Sequence, residues 1–168
     1  MNTIDRVAVF MRENGLTLVT AESCTAGMIA SMLADVPGAG ALLDCAFVVY
    51  SPDAKRRCVG VSQRTLDTHN LTSEAVAREM ALGAAQRSPA NVAIANTGLA
   101  DGTDDEIPAG TQCFAWVFKL SAADATPAVY TETRRFDGGR HGIRKAAAAY
   151  ALERMITLHQ EWRRHGGR

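Results

Sequence analysis

Hydrophobic spacing switches back and forth between helical and strand periods over residues 1–97, and two strand-like stretches then follow one another directly. Ile4, Val7, Val9, Phe10 and Met11 recur at helical spacing over 4–14, with Asn2 or Thr3 as cap and Gly15 as stop. Residues 16–20 form a short β-rich run, and the small apolar stretch 24–34 reads as a buried helix ended by Pro37 and Gly38. A strand over 42–50 leads to Ser51, which caps a short helix with Pro52 at its first position. Helices over 62–70 and 72–88 precede a strand over 91–97 and a Gly/Asp-rich loop over 98–110. Alternation over 111–119 and 128–136 predicts a hairpin pair, and the last helix starts near Gly139. Helices alternating with strands, followed by adjacent strands, predict an α/β fold. The expected architecture is a three-layer α/β/α sandwich with a mixed sheet of about five strands, in one domain over 1–168.

The balance of 18 basic against 18 acidic residues gives no global field to draw in nucleic acid. Trp116, Phe118, Phe136 and Trp162, the aromatics nearest the basic runs, fit core packing instead. Cys24, Cys45, Cys58 and Cys113 include no CxxC pair and adjoin no histidine cluster, so neither a zinc site nor a secreted disulfide scaffold is expected. The N-terminus lacks the pattern of a signal peptide, and no apolar run is long enough to span a membrane. A reducing cytoplasm is the default expectation.

Ligands collect at the carboxyl ends of strands in open α/β sheets, so the strand-to-helix junctions matter most. At one of them Ser23 stands before the run 24–34, where free backbone N–H groups at a helix start can stabilise an oxyanion. Thr25, Ala26 and Gly27 are small enough to let a substrate approach the backbone. Taken alone, Ser23 is more economically an N-cap. Cys24 is the neighbouring candidate nucleophile, but no histidine is at hand to pair with it. At the second junction Tyr50 closes a strand and Lys55 lies early in the next helix. A serine hydroxyl needs a base, and a lysine whose pKa is lowered by burial can be one. Tyr50 could relay or orient the proton. Singly, Tyr50 and Lys55 read as ordinary surface residues.

In combination, the run from Ala21 to Val61 resembles the C-terminal domain of the CinA family: Ala21-Glu22-Ser23-Cys24-Thr25-Ala26-Gly27, then Asp35-Val36-Pro37-Gly38, then a strand ending in Tyr50-Ser51 with Lys55 beyond. Ser73-Glu74, Thr97-Gly98, Pro108 with Gly110-Thr111, and Arg135, Gly138, Arg140 and Arg144 extend the match over nearly the whole chain. Stand-alone members of that family are nicotinamide-nucleotide amidohydrolases. The resemblance implies Ser23 as nucleophile, Lys55 as general base with Tyr50 beside it, and backbone N–H groups around Cys24 and Thr25 as oxyanion donors. It implies Thr97 and Gly98 as a substrate-holding wall, and Arg140 and Arg144 as phosphate-binding or site-shaping residues. The implied reaction turns nicotinamide mononucleotide into nicotinic acid mononucleotide and ammonia, with no metal or cofactor, in a homo-oligomer.

The chain departs from the family pattern at three places. Leu99-Ala100-Asp101-Gly102-Thr103-Asp104-Asp105-Glu106 stands where the family has a Gly/Pro-rich stretch, Gly139 stands for an aspartate before Arg140, and Asn96 stands at a small apolar position. Acidic side chains there repel a phosphate, by about 1 kcal/mol for two unit charges close together in water. A related Ser-dependent hydrolase of another amide, or a non-catalytic binding protein, is the alternative expectation.

Overall fold

The computed structural model describes residues 2–119 and 126–167. Six helices and five strands follow in the order α1 (Thr3–Glu13), β1 (Leu18–Glu22), α2 (Met28–Ala34), β2 (Leu43–Val48), α3 (Pro52–Val59), α4 (Gln63–Thr68), α5 (Glu74–Gln86), β3 (Val92–Gly98), β4 (Thr111–Phe118), β5 (Ala128–Arg135) and α6 (Arg140–Arg164). The strands make one mixed sheet in the order β2-β1-β3-β4-β5. β1 runs parallel to β2 and β3, while β3–β4 and β4–β5 are antiparallel. The three-layer sandwich and its five-stranded sheet agree with the expectation from sequence.

Side-chain size decides which helices cover which face. One face presents Leu18, Ile94, Phe114, Trp116 and Phe118 to α1, α2 and α6. There the Trp116 indole donates to the Ala151 carbonyl of α6 at 2.9 Å, which satisfies its buried N–H. The other face presents Val19, Ala21, Ala93, Ala95 and Ala115 to the Ala-rich side of α5. Small residues on both partners let that helix sit close. α3 in turn crosses α5 where a Cβ on Gly83 would stand 1.6 Å from the Val59 carbonyl oxygen, so only glycine fits there. β4 is buried along its whole length, whereas the outer strand β5 ends exposed.

The chain leaves β1 through α2 on one face and leaves β2 through α3 to α5 on the other, returning to the far side of β1 as β3. The carboxyl end of β1 is therefore the switch point of the sheet, the place where open α/β sheets bind their ligands. Ser23 is the first residue beyond that end.

Candidate active site

Between β1 and α2 the chain forms a turn, not the helix expected from Cys24 onward. Ala26 has φ 46° and Gly27 φ 95°. Two consecutive left-handed residues interrupt the apolar run, and α2 starts only at Met28 with Gly27 as its N-cap. Ser23 is thus not a helix cap. The N–H groups at the start of α2 do not face it either. Glu22, fully buried, accepts from the N–H groups of Gly27 (2.9 Å), Ile29 (3.1 Å) and Ala30 (3.0 Å) and from the Thr20 hydroxyl (2.9 Å). A carboxylate at a helix start satisfies orphan donors and complements the dipole. Replacing Glu22 by Gln turns an amide NH2 toward donors, and urea denaturation is expected to show a loss of about 2 kcal/mol, the cost of unsatisfied buried donors. An unchanged midpoint would mean that the helix start finds other acceptors.

The turn is clamped from two further sides. The Ser23 N–H donates to the Asn96 carbonyl at 2.9 Å, and the Thr25 N–H donates to Asn96 Oδ1 at 3.0 Å. Asn96 Nδ2 donates to Gln112 Oε1 at 3.0 Å, and Gln112 Nε2 donates to Cys24 Sγ at 3.3 Å. From the start of α6, Arg144 donates to the carbonyls of Cys24 (2.8 Å) and Thr25 (3.4 Å). These bonds sort the expected oxyanion donors. Thr25 N–H and Gly27 N–H are already engaged, whereas the Cys24 N–H has no acceptor among the described residues. Cys24 Sγ is held by Gln112 inside the fold, away from any histidine contact.

Lys55 comes to the same point from α3. Ser51 caps that helix by accepting the Ala54 N–H at 3.0 Å, and Pro52 occupies its first turn, as the sequence indicates. Lys55 is 1% exposed, and its Nζ stands 2.9 Å from Ser23 Oγ, 3.0 Å from the Val49 carbonyl and 3.0 Å from the Tyr50 carbonyl. Among the described residues no carboxylate is its partner. Burial pushes its pKa down from 10.5 to about 8. Two of its neighbours are carbonyls, which only accept. A neutral amine therefore gives its two N–H groups to them and leaves its lone pair facing the Ser23 hydroxyl.

The remaining expected residues separate. Tyr50 touches Lys55 through its backbone carbonyl alone. The residue is 57% exposed, and its hydroxyl accepts from Arg140 Nη2 at 3.0 Å, so the side chain does not lie in the Ser23–Lys55 bond as a relay would. Arg140 also pairs with Asp101, which ties the acidic loop to the first turn of α6. The Thr97 hydroxyl donates to the Leu71 carbonyl at 2.8 Å. A Cβ on Gly98 would meet the end of the Gln112 side chain at 2.2 Å, so a larger residue there would have to displace that amide from Asn96 and Cys24. Glu22, Asn96 and Gln112, which do most of the holding, were not singled out as site residues from sequence. A polar residue near an end of each of three buried strands was the available signal.

An open α/β sheet with a buried lysine bonded to a serine at its switch point is the layout of an α/β protein built around a Ser–Lys pair. The chain belongs to the CinA C-terminal domain family, whose pattern matches residues 2–159. A relative from Symbiobacterium thermophilum named for competence-damage inducibility is 43% identical over 150 residues; the match spans 87% of this chain and only 35% of that protein. The nicotinamide-nucleotide amidohydrolase PncC of Escherichia coli is 37% identical over 164 residues, covering 96% of this chain and 94% of that one. The crystal structure of competence damage-inducible protein A from Klebsiella pneumoniae superposes with a TM-score of 0.87 at 33% identity, covering 96% of this chain and 99% of that one.

Proposed function

We propose that this chain is an amidohydrolase that converts nicotinamide mononucleotide to nicotinic acid mononucleotide and ammonia, with Ser23 as nucleophile and Lys55 as base. The observation that carries the reading is the 2.9 Å contact between Ser23 Oγ and a buried lysine that has no carboxylate partner among the described residues. The full-length similarity to an amidohydrolase of that name supports the substrate. Neutral Lys55 takes the Ser23 proton as Oγ attacks the carboxamide carbon. The carbonyl oxygen gains the electron pair and is received by the Cys24 N–H. The ammonium at Nζ returns the proton to the leaving nitrogen, the C–N bond breaks, and ammonia departs. Water then attacks the acyl–Ser23 ester, Lys55 takes its proton, and the acid is released as the hydroxyl re-forms.

Four unpaired cysteines favour a reducing compartment, and we place the enzyme in the cytoplasm; a homo-oligomer is carried over from the family resemblance. Among the described residues, no helix is long and apolar enough to cross a membrane and no group of side chains suits a metal ion. Incubation of the purified chain with the nucleotide should release ammonia and leave, after rapid acid quench, an acyl adduct on the peptide holding Ser23. Ammonia without an adduct would point to direct attack by water. No ammonia from the nucleotide, but release from another amide, would move the same machinery to a different substrate. The Arg140–Asp101 pair is the specific observation favouring that second reading.

A further inference from the structure

The Cys24 N–H lies between two others that a single residue of β3 takes up. The Asn96 carbonyl accepts from Ser23, and Asn96 Oδ1 accepts from Thr25. The N–H between them is left without an acceptor among the described residues. The Thr25 hydroxyl adds nothing to this hold, since its buried oxygen has no hydrogen-bond partner among the described residues. The polarity of the Asn96 amide is set by the backbone. The Thr25 N–H only donates, so it fixes Oδ1 on its own side and turns Nδ2 to the other. Nδ2 then meets Gln112 Oε1, which leaves Gln112 Nε2 for Cys24 Sγ. Both amides are fully buried. Register sets Asn96 opposite Phe114 and Gln112 opposite Gly98, so the two lie on one face of the sheet. Gly98 leaves open the space that the Gln112 amide fills. The turn needs such a hold, because φ 46° at Ala26 is a strained conformation for a residue with a side chain.

We propose that Asn96, backed by Gln112, is a positioning residue for the reaction. By taking the N–H groups on either side, it holds the Cys24 N–H next to the attacking Ser23, where charge develops on the substrate carbonyl oxygen. This rests on the amidohydrolase reading of the same site. Lys55 is bonded to Ser23, Val49 and Tyr50 and not to Asn96, so the effect falls on the oxyanion and not on the base.

The test compares wild type with Asn96→Ala on nicotinamide mononucleotide. The variant should lower kcat about tenfold, less than deletion of an oxyanion donor costs, and leave KM within about twofold. Its kcat/KM should still rise with pH to a plateau with a midpoint of about 8, whereas a site merely loosened around Lys55 would move that midpoint. An unchanged kcat, a loss carried by KM, or a moved midpoint would overturn the inference. If Asn96→Ala does not fold, Gln112→Met decides. It removes only the brace behind Asn96 and should lower kcat about threefold in the same pattern. Acylation of Ser23 by p-nitrophenyl acetate needs the same oxyanion donor but no nucleotide, so it separates this outcome from failure of the amidohydrolase reading. If wild type releases no ammonia from the nucleotide, that reading falls. A burst of p-nitrophenol about tenfold slower in Asn96→Ala would then still uphold the positioning role. Equal bursts, or no acylation of Ser23 in wild type, would end it.

Discussion

Ser23→Ala is expected to lower kcat for nicotinamide mononucleotide hydrolysis by about a thousandfold or more, with KM little changed, in a steady-state ammonia assay. The hydroxyl is small, buried and bonded to Lys55, so its removal deletes the attacking atom while leaving the Glu22, Asn96 and Arg144 clamps in place. The residual rate measures what the Cys24 N–H and substrate binding contribute without covalent chemistry. Retention of wild-type kcat would remove Ser23 from the mechanism, and the acyl-enzyme with it.

Lys55→Met should produce a loss of similar size, because a serine without its base is a poor nucleophile. The double variant should fall little further than either single one, since the two groups act as a unit. In wild type, log kcat/KM should climb with unit slope as pH rises toward about 8 and level off above it, following the fraction of neutral amine. A profile flat from about pH 6.5 to 9.5 would exclude Lys55 as the titrating base.

The same residue leaves a mark on stability. The folded pKa near 8 lies below the unfolded value of 10.5, so the unfolded chain binds more protons between them. The Lys55 contribution is therefore fully present above about pH 10.5 and is lost as pH falls toward about 8, by about 3 kcal/mol in all. Wild type minus Lys55→Met, measured by urea denaturation at several pH values, isolates that slope from other titrating groups.

The sandwich was legible in the sequence because period switching survives in β4 and α5, whose faces pack against other layers. The Ser23 and Lys55 positions were legible through motif spacing, and their separation in the chain says nothing about a 2.9 Å contact. What stayed hidden is conformational. Nothing in Cys24-Thr25-Ala26-Gly27 distinguishes a small-residue helix from a turn, since an alanine with φ 46° runs against its own preference and is held there by long-range bonds from Asn96 and Arg144. Tyr50 illustrates the same limit. Its adjacency to the strand end was evident, but only the fold shows that its carbonyl, not its hydroxyl, faces Lys55. Asn96 looked like a departure from pattern and proves to be a bracket for the turn.

Lys55 is surrounded largely by backbone: two of its three polar neighbours are carbonyls, and they belong to the segment that links β2 to α3. Side-chain replacement cannot delete those acceptors, so the aim of the amine is written into the path of the chain. Asp101 and its loop, which pair with Arg140, lie on a different segment altogether. Such a division lets residues 99–107 vary without disturbing the carbonyls that hold the Lys55 amine.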